Sequence, residues 1–474
     1  MMENLTTDLC IIGAGSGGLS IAAGAAQMGA RVVLIEEAAM GGDCLNAGCV
    51  PSKALIAAGK HAHAMTTGAA FGVTPVVPVV DFAAAKDHVA RAIATIAPLD
   101  SQERFEGLGV RVIRARGRFT SATTVEAGGI TVTARRFVIA TGSRPFVPPV
   151  PGLDATPYLT NETIFALRER PDHLIVIGGG PIGMEMAQAH RRLGCKVTVV
   201  EAARALGRED PELAAVALAA LRAEGVAIVE GFTVDAVSGV AGTVEVHLGD
   251  GRTLQGSHLL IAVGRQVAVD GMGLEAAGIA YTRKGITVGP NLRSVSNRRV
   301  FAVGDAAGGL QFTHLAGYHA GIVIRQALFG LPTKQRTDHI PRATFTDPEI
   351  AQVGLTEADA RAAHGDALTV IRWPFHDNDR AVTEGRTAGL VKVMVVKGRP
   401  VGAGIAGPHA GELIAPWALA ISARLKMSAI ASAVLPYPTL AESGKRAAGA
   451  YFSPKLFANP WVKRVVGAVQ HWLP

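Results

Sequence analysis

Two segments of the chain show the same order of apolar and polar positions. Each begins with a short apolar run that leads into a glycine-rich loop, continues with a helical pattern and closes with a second apolar run that ends in a glutamate. The first segment spans residues 5–36 and the second spans residues 173–201. Strand, glycine loop, helix and strand in this order predict a βαβ unit of a parallel sheet.

The glycines of both units follow the spacing G-x-G-x-x-G. This spacing permits a tight turn and lets a pyrophosphate approach the N-terminus of the helix, which attracts phosphate. The glutamate that ends each unit can accept hydrogen bonds from ribose hydroxyls. Each unit therefore predicts a bound dinucleotide. The residues concerned are Gly13, Gly15, Gly18 and Glu36 in the first unit and Gly178, Gly180, Gly183 and Glu201 in the second.

The end of the second unit bears on the choice between NAD and NADP. Glu201 favours NAD, because a carboxylate pairs with a ribose 2′-hydroxyl and repels a 2′-phosphate. Arg204 and Arg208 follow closely and keep NADP as the less favoured alternative.

The length and composition of the chain indicate several folded domains. Of its 474 residues 49% are hydrophobic, which is enough for several buried cores. The net charge is +7, but lysine and arginine are scattered and no nucleic-acid-binding motif is present, so we expect no nucleic-acid partner. The apolar stretch around 401–422 is broken by His409, Glu412 and two prolines, and the first apolar run leads into a glycine loop. We therefore expect a cytoplasmic protein without a membrane span or secretory signal.

The chain has four cysteines, and two of them, Cys44 and Cys49, stand five positions apart in GGDCLNAGCVPSK. A disulfide framework is not expected in a large cytoplasmic protein. Zinc would need further cysteine or histidine ligands at suitable spacing, so no metal ligands are predicted here. Cys10 and Cys195 lie in apolar patterns and are expected to be buried fillers. A redox pair is the leading interpretation of Cys44 and Cys49.

Several further strings occur in order along nearly the whole chain. They are GGDCLNAGCVPSK, VIATGSRP, GGGPIGMEMA, AVGRQ, VGDAAGG, FTDPEIAQVGLTE and YPTLAE. Together with the two dinucleotide units, they make the chain resemble the flavin-dependent pyridine nucleotide-disulfide oxidoreductases.

The resemblance implies an α/β fold with two Rossmann-like dinucleotide-binding domains, one for FAD and one for NAD(P), and a C-terminal α+β dimerisation domain. The implied ranges are 1–148 for the first FAD-binding segment, 149–270 for the NAD(P)-binding domain, 271–337 for the second FAD-binding or central segment, and 338–474 for the dimerisation domain. In this family the last domain forms a two-fold homodimer.

The resemblance also assigns cofactor contacts. The first dinucleotide unit would bind FAD, and the second would bind the nicotinamide nucleotide. His314 lies where the family starts a helix against the flavin ring. Further cofactor contacts are implied at Gly42, Lys53, Gly117, Thr141, Gly142, Gly264, Asp305 and His314.

The implied chemistry is an electron relay. Hydride from the nicotinamide reduces the flavin, whose electrons pass to a Cys44–Cys49 disulfide and release two thiols for an external acceptor. By the resemblance, Cys49 faces the flavin as a thiolate and Cys44 exchanges with the acceptor. Lys53 is expected to pair with Glu185, so that its ammonium stabilises the charge of the reduced flavin.

The spacing of the two cysteines adds a geometric constraint. Residues five apart in a regular helix are too distant for a disulfide, whose Cα atoms must approach within about 7 Å. The segment must therefore be distorted. We place the distortion at Val50-Pro51, because proline disfavours helical geometry in the residue before it.

The chain departs from the family pattern at two positions. Asp43 stands where the family has threonine, next to the expected FAD pyrophosphate, and an ionised carboxylate there would repel phosphate unless it is turned away. Tyr437 stands five residues before Glu442, where disulfide reductases of this family carry the histidine that acts as acid and base for the partner subunit's site. Tyrosine is a poor base at neutral pH, and at this position it resembles mercuric reductase, although that enzyme has a further C-terminal cysteine pair that is absent here.

Three functions are consistent with these features. The leading prediction is dihydrolipoamide dehydrogenase-like transfer to a small dithiol or disulfide, or to a protein-bound lipoyl group, because the FAD, NAD and cysteine segments all resemble that enzyme. In this interpretation Tyr437 and Glu442 complete the partner subunit's site in a homodimer. The second is mercuric reductase-like reduction of a thiophilic metal ion, or of a quinone. The third, from another class, is a flavoprotein that mainly binds a membrane or a partner. An enzyme is favoured by the presence of Cys44, Cys49, Lys53 and Glu185.

The C-terminal segment YFSPKLFANPWVKRVVGAVQHWLP is basic and amphipathic. No acidic residue follows Glu442, and the apolar positions recur at helical spacing. This pattern is consistent with a helix docked on the dimer or with one that lies on a membrane surface. The apolar positions are Trp461, Val462, Val465, Val466, Val469, Trp472 and Leu473, and the cations are Lys445, Arg446, Lys455, Lys463 and Arg464.

Overall fold

The first dinucleotide unit forms the centre of a parallel sheet. The structure, a computed structural model, describes residues 3–473. Residues 9–12 of the first strand are fully covered, as expected for a central parallel strand with helices on both faces. The parallel strands lie in the order Arg111–Ile113, Val32–Ile35, Glu3–Ile12, Ile130–Ile139 and Val300–Ala302. An antiparallel extension pairs Arg118–Ser121 with Thr124–Ala127, and Thr124–Ala127 with the first half of Ile130–Ile139.

Two helices cover this sheet near its glycine loop. Ser16–Gln27 follows the loop directly, and Thr313–Phe329 packs against it. The last parallel strand and this second helix come from residues 300–329, so the chain returns to the first sheet after an intervening unit.

The second dinucleotide unit forms a separate parallel sheet. Its strands lie in the order Ala227–Glu230, Lys196–Glu201, His173–Ile177 and His258–Ile261. Helices Pro181–Arg192 and Pro211–Ala223 follow the first two strands of this unit in the chain. An antiparallel meander of Val234–Val240, Thr243–Leu248 and Thr253–Gly256 covers one side.

The third unit is an antiparallel sheet with helices. Its strands lie in the order Arg342–Thr344, Glu349–Gly354, Arg399–Gly407, Leu390–Val396 and Leu368–Pro374. One face packs on helix Pro211–Ala223 of the second unit, and the buried Trp417 of helix Ala415–Ser422 lies in the core on the other side. Two dinucleotide-binding units and a C-terminal α+β unit confirm the predicted fold class. The exact domain boundaries stay predictions.

The remaining elements are short or connect these units. Two small antiparallel ladders pair Ser143–Pro145 with Arg265–Val267, and Tyr281–Thr282 with Gly285–Ile286. The other helices are Gly42–Asn46, Cys49–Ala64, Phe82–Ile96, Gln102–Gly107, Glu357–His364, Asp379–Thr383, Ala410–Leu413, Met427–Ala431, Glu442–Ala450, Ser453–Phe457 and Pro460–Trp472. The 3-10 turns are Gly68–Phe71, Ala97–Asp100, Ile164–Ala166, Gly304–Ala307, Gly365–Ala367 and Phe375–Asp377. Among residues 3–473, no helix is long and apolar enough to cross a membrane.

Candidate active site

The two glycine loops have the same local geometry. Gly13 has φ +107° and Gly178 has φ +112°, and a Cβ would lie 2.3 Å from the carbonyl oxygen of Ala140 and 2.4 Å from that of Ala262, respectively. Only glycine tolerates both the conformation and the contact. The third glycine of each loop, Gly18 and Gly183, likewise meets the carbonyl of the first, at 1.9 and 2.0 Å from a hypothetical Cβ. Both units are therefore built by the same backbone constraint.

Both loops present a helix N-terminus that suits a phosphate. Helices Ser16–Gln27 and Pro181–Arg192 begin after Gly15 and Gly180, with no side-chain cap and no acidic residue in the first turn. The first N–H groups of a helix have no intrahelical acceptor, and a pyrophosphate could provide one. In the second helix these groups begin at Ile182, because Pro181 has no N–H. A Cβ at Gly180 would meet no atom within 4 Å, so a ligand can approach the backbone. These features fit a dinucleotide in each unit.

The two glutamates hold equivalent positions. Glu36 accepts backbone N–H groups of Ala14 at 2.6 Å and Ala38 at 2.7 Å, and Glu201 does the same with residues 179 and 203 at 2.8 and 2.9 Å. Each carboxylate retains lone pairs, so it can also accept ribose hydroxyls. That role stays a prediction for both residues.

Most other predicted cofactor residues lie around the first loop. Gly42 approaches Gly15 so closely that a Cβ at Gly42 would lie 2.7 Å from the Gly15 Cα. A Cβ at Gly117 would lie 3.2 Å from Ile35 and 3.3 Å from Ile12, the last residues of two parallel strands. Thr141 donates to the carbonyl of Ala268 at 2.7 Å, and Gly142 and Gly264 lie at the two ends of the ladder that joins the first and second units.

The cysteine segment forms two helices rather than one. Gly42–Asn46 ends before Cys49–Ala64 begins, and the break lies at Ala47 (φ −141°, ψ 3°) and Gly48 (φ −122°, ψ −109°). The predicted distortion is therefore present, but its predicted position at Val50-Pro51 is wrong. Pro51 lies in the first turn of the second helix, where its missing N–H costs no intrahelical hydrogen bond. Breaking the helix at Gly48 removes the regular spacing that would keep the two cysteines apart.

Cys49 lies at the meeting point of two helix N-termini. It is the first residue of helix Cys49–Ala64, and its Sγ lies 3.3 Å from the hydroxyl of Thr313, the first residue of helix Thr313–Phe329. Helix N-termini stabilise a thiolate. Hydrogen bonds from Cys44 and Thr313, together with the charge of Lys53, lower the pKa of Cys49 to about 6, although burial opposes the shift.

The pKa of the second thiol of the pair, Cys44, is shifted in the opposite direction. The hydrogen bond that Cys44 makes with Cys49, followed by burial and the neighbouring thiolate charge, holds the pKa of Cys44 far above its usual range. The other two cysteines, Cys10 and Cys195, are fully buried as expected, and burial raises the pKa of Cys195 to about 12. Cys49 is therefore the thiolate of the pair, and Cys44 carries the proton.

This asymmetry predicts a pH-dependent reactivity in the reduced, flavin-loaded protein. Because the pKa of Cys49 is lowered to about 6, its iodoacetamide alkylation rate should rise about tenfold between pH 5 and 7 and level off above that, as the thiolate fraction does. Peptide mapping after timed quenching should find label on Cys49 and not on Cys44. An inflection near pH 8.5, the value of an ordinary thiol, would contradict the assignment.

Lys53 and Glu185 form an ion pair that joins all three units. The Lys53 Nζ lies 2.8 Å from a carboxylate oxygen of Glu185, whose side chain is 6% exposed. The other oxygen of Glu185 accepts the backbone N–H of Phe345 at 2.8 Å, and the Lys53 ammonium lies 4.3 Å from the centre of the Phe345 ring. Helices Cys49–Ala64 and Pro181–Arg192 pack directly on each other. The structure thus fixes an ammonium one turn beyond Cys49.

The carboxylate of Asp43 is turned onto a cation. Arg265 places Nη2 3.2 Å from Asp43 Oδ1 and donates two further hydrogen bonds to Ser143, at 2.7 Å each. Asn161 donates to the same Asp43 oxygen at 3.1 Å and to the carbonyl of Ala47 at 2.9 Å. The Asp43 charge is therefore compensated, and the same contact satisfies a carbonyl that the helix break frees.

Asp305 belongs to the same network. The Ser143 hydroxyl donates to its carboxylate at 2.5 Å. Burial raises the pKa of Asp305, while the hydrogen bond from Ser143 and the charge of Arg265 oppose the rise. Residues from three distant parts of the chain thus meet beside the first glycine loop.

Tyr437 is held by an acid, but not by Glu442. Its hydroxyl donates to Asp379 at 2.7 Å, and its side chain is 67% exposed. The hydrogen bond to Asp379, together with the Asp379 charge, raises the pKa of Tyr437. Glu442 begins helix Glu442–Ala450 and makes no side-chain hydrogen bond with Tyr437 in the described residues. At neutral pH Tyr437 is therefore a proton donor and cannot act as a general base.

His314 and several residues that the sequence reasoning missed complete the site. His314 follows Thr313 in its helix, its Nε2 lies 2.7 Å from the carbonyl of Pro341, and its ring stacks on Phe312 at 5.2 Å. Thr313 directly precedes the predicted His314, and Arg265 directly follows the predicted Gly264 in AVGRQ, so these neighbours could have identified them. Asn161 and Asp379 carry no local sequence signal.

Comparison with known proteins places this geometry in a family. The model of the pyridine nucleotide-disulphide oxidoreductases matches residues 7–320, and that of their dimerisation domain matches residues 340–448. The chain belongs to this family. The resemblance inferred from the sequence is confirmed. The chain is thus an FAD-dependent pyridine nucleotide-disulfide oxidoreductase of a family that binds FAD and NAD(P), and its dimerisation domain implies a homodimer.

Individual relatives carry different activities in their names. A mercuric reductase of Streptomyces lividans is 34% identical over 94% of this chain and 96% of its own, and a dihydrolipoyl dehydrogenase of Geobacillus stearothermophilus is 33% identical with the same two coverages. Among solved structures, LpdA from Mycobacterium tuberculosis has a TM-score of 0.87 at 29% identity, and covers 94% of this chain and 99% of its own. The Cu(II) complex of the HOCl-induced flavoprotein disulfide reductase RclA from Escherichia coli has a TM-score of 0.83 at 30% identity, with coverages of 93% and 99%.

The Asp43–Arg265 contact leads to a prediction about FAD binding. Arg265→Gln should raise the FAD dissociation constant by about 10- to 100-fold, because it would leave the Asp43 carboxylate uncompensated beside the expected position of the FAD pyrophosphate. Adding Asp43→Asn removes the charge and should restore binding to within several-fold of wild type. Flavin fluorescence released on dilution measures both. An equal loss in the single and double variants would contradict this account.

Proposed function

We propose that this protein uses NAD(P)H to reduce a thiophilic metal ion at the Cys44–Cys49 pair. The observation that carries the proposal is the hydrogen bond from Tyr437 to Asp379. A dithiol substrate needs a base to remove its proton before exchange, and a phenol whose pKa is raised supplies none. A metal ion has no such proton to lose. The mercuric reductases among the relatives and the Cu(II) complex of RclA support the same choice.

The donor set of the site suits a metal ion as substrate rather than as a resident ion. Thiolates prefer soft ions, and Cys44 and Cys49 supply two. Within residues 3–473 there is no group of three or more histidine, cysteine, aspartate or glutamate side chains that could hold a metal. An ion held by two sulfurs remains open to exchange, as turnover requires.

The electron count is simple. NAD(P)H supplies two electrons and becomes NAD(P)⁺ with release of one proton, and a divalent ion bound by Cys44 and Cys49 takes both electrons and leaves as the metal. An ion that accepts one electron requires two ions for each NAD(P)H. The flavin, when bound, converts hydride transfer into electron transfer towards the sulfurs.

The residues around the sulfurs have separate tasks in this scheme. Cys49 is the thiolate that binds the ion first, since its pKa is lowered to about 6. Cys44 provides the second sulfur and loses its proton as the ion binds. Lys53, fixed by Glu185, stabilises negative charge beside the flavin. In the homodimer, we assign Tyr437 and Glu442 to the partner subunit's site, where the Tyr437 hydroxyl would contact the bound ion or its ligands.

We propose NAD rather than NADP as the preferred nucleotide. Glu201 lies at the end of its strand, where one carboxylate oxygen accepts the N–H of Gly179 in the second glycine loop and the other accepts that of Ala203. At this position it would repel a 2′-phosphate. Arg204 and Arg208 are exposed close by and support NADP as the less favoured alternative.

Dihydrolipoamide dehydrogenase-like activity is the second candidate. Identities of 33 and 34% to dihydrolipoyl dehydrogenases support it, as does the asymmetric thiol pair, which suits transfer to a dithiol or a protein-bound lipoyl group. A quinone acceptor and a role in binding alone have no observation in their favour beyond the sequence.

Parallel assays of the purified flavoprotein separate the two candidates. Under anaerobic conditions we expect Hg(II), added with excess small thiol, to drive oxidation of NADH faster than of NADPH, and we expect dihydrolipoamide-dependent NAD reduction near background. A Cys44→Ser variant should lose the metal-dependent rate. Rapid lipoamide turnover without metal-dependent oxidation would overturn the proposal and favour the second candidate.

A further inference from the structure

The last segment of the chain forms a helix pair that extends beyond the dimerisation domain. The family match ends at residue 448, and helices Ser453–Phe457 and Pro460–Trp472 follow it. The second helix packs mainly on the first, and none of its residues is buried. Asn459 caps it by accepting the backbone N–H of Trp461 at 2.9 Å. The helix is therefore well formed without a covering surface from its own chain.

This terminal helix has one continuous apolar face. At 100° per residue, its large apolar side chains fall within an arc of about 140°. Trp461 and Trp472, near its two ends, are 71% and 79% exposed, and Val465 is 58% exposed. The members of this apolar face are Trp461, Val462, Val465, Val466, Val469 and Trp472.

The opposite face of the same helix is basic. Lys463 and Arg464 lie on it together with Gln470, and no acidic residue occurs after Glu442. The whole chain also has a net charge of +7. A tail of this charge is not attracted to a second basic copy, whereas it is attracted to an anionic surface.

We propose that the terminal helix docks the protein on an anionic lipid bilayer. The apolar face enters the boundary between headgroups and acyl chains, with a tryptophan near each end, and Lys463 and Arg464 contact lipid phosphates. An amphipathic helix with aromatic and aliphatic residues on one side and cations on the other has the composition of such interfacial anchors.

Vesicle flotation of the full-length, FAD-loaded protein tests the proposal. We expect wild type to float with vesicles of phosphatidylcholine and phosphatidylserine in a 7:3 ratio and to stay at the bottom with phosphatidylcholine alone. The variant K463Q/R464Q should lose about 25-fold in partitioning for each docked helix, since each of its two cations contributes roughly fivefold at an anionic surface. Val465→Asn with Val469→Asn should lose at least about tenfold through the apolar face.

A matched control introduces two asparagines on the polar face of the same helix, opposite the valines. Gly467→Asn with Gln470→Asn leaves the apolar arc and the charge intact, and should bind within about threefold of wild type. Retained flavin absorbance in every variant shows that the protein has folded. Wild type that ignores the anionic vesicles would overturn the proposal, and so would valine variants that float like the control. A loss of dimer mass in the valine variant, measured by light scattering without lipid, would assign the face to a second copy and also overturn it.

Discussion

Replacing Tyr437 by histidine is expected to raise dihydrolipoamide-dependent NAD reduction by about 10²- to 10⁴-fold, the range that a positioned general base contributes. In the wild type the Tyr437 hydroxyl donates to Asp379 at 2.7 Å, and its pKa is raised. An imidazole at this position titrates near neutral pH, and Asp379 or Glu442 could orient it. The rate of NADH formation at pH 7–8 measures the gain.

Tyr437→Phe is the matched control for this gain. It removes the hydroxyl and keeps the ring, so we expect no increase in lipoamide turnover. If wild type and Tyr437→His turn over dihydrolipoamide equally fast, then Tyr437 is no handicap and the dithiol candidate regains first place. The same result would show that the proton leaves by a route that does not involve this residue.

Replacing Cys49 by serine is expected to lower acceptor-dependent turnover by about 10³-fold or more while the flavin stays reducible by NADH. The Cys49 thiolate is the nucleophile and metal ligand, whereas a serine hydroxyl does not ionise at neutral pH. Stopped-flow absorbance of the flavin follows the first half-reaction, and steady-state NADH oxidation follows the whole cycle.

Cys195→Ala controls for the loss of a thiol as such. Cys195 is buried in the core of the second unit, so we expect normal turnover apart from a modest loss of stability. Acceptor turnover that survives in Cys49→Ser would contradict the relay, because the electrons would then leave the flavin without passing through Cys49.

The sequence predicted those parts of the site that depend on local constraints. Gly13 and Gly178 are glycines because the backbone carbonyls of Ala140 and Ala262 leave no room for a Cβ. In each unit the helix begins three residues after this glycine, so loop and helix are adjacent in the chain. Motif spacing therefore predicted both loops. The ion pair of Lys53 with Glu185 came from the family resemblance, since 132 residues separate the partners.

The sequence did not predict contacts between elements that lie far apart in the chain. The orientation of Asp43 depends on Asn161 and Arg265, 118 residues and more away. Asp379 lies 58 residues before Tyr437 and has no motif of its own. The helix break was expected at a proline, but the chain breaks at Gly48, because Pro51 fits the first turn of a helix and Asn161 satisfies the Ala47 carbonyl.

If electrons from NAD(P)H reach a disulfide of Cys44 and Cys49, they convert it into two thiols, which can be counted. The oxidised flavoprotein receives two equivalents of NADH per subunit without oxygen, and accessible thiols are then titrated under denaturing conditions. We expect two additional thiols per subunit in wild type and no gain in Cys49→Ser. A flavin that is bleached while the wild-type thiol count stays unchanged would contradict it.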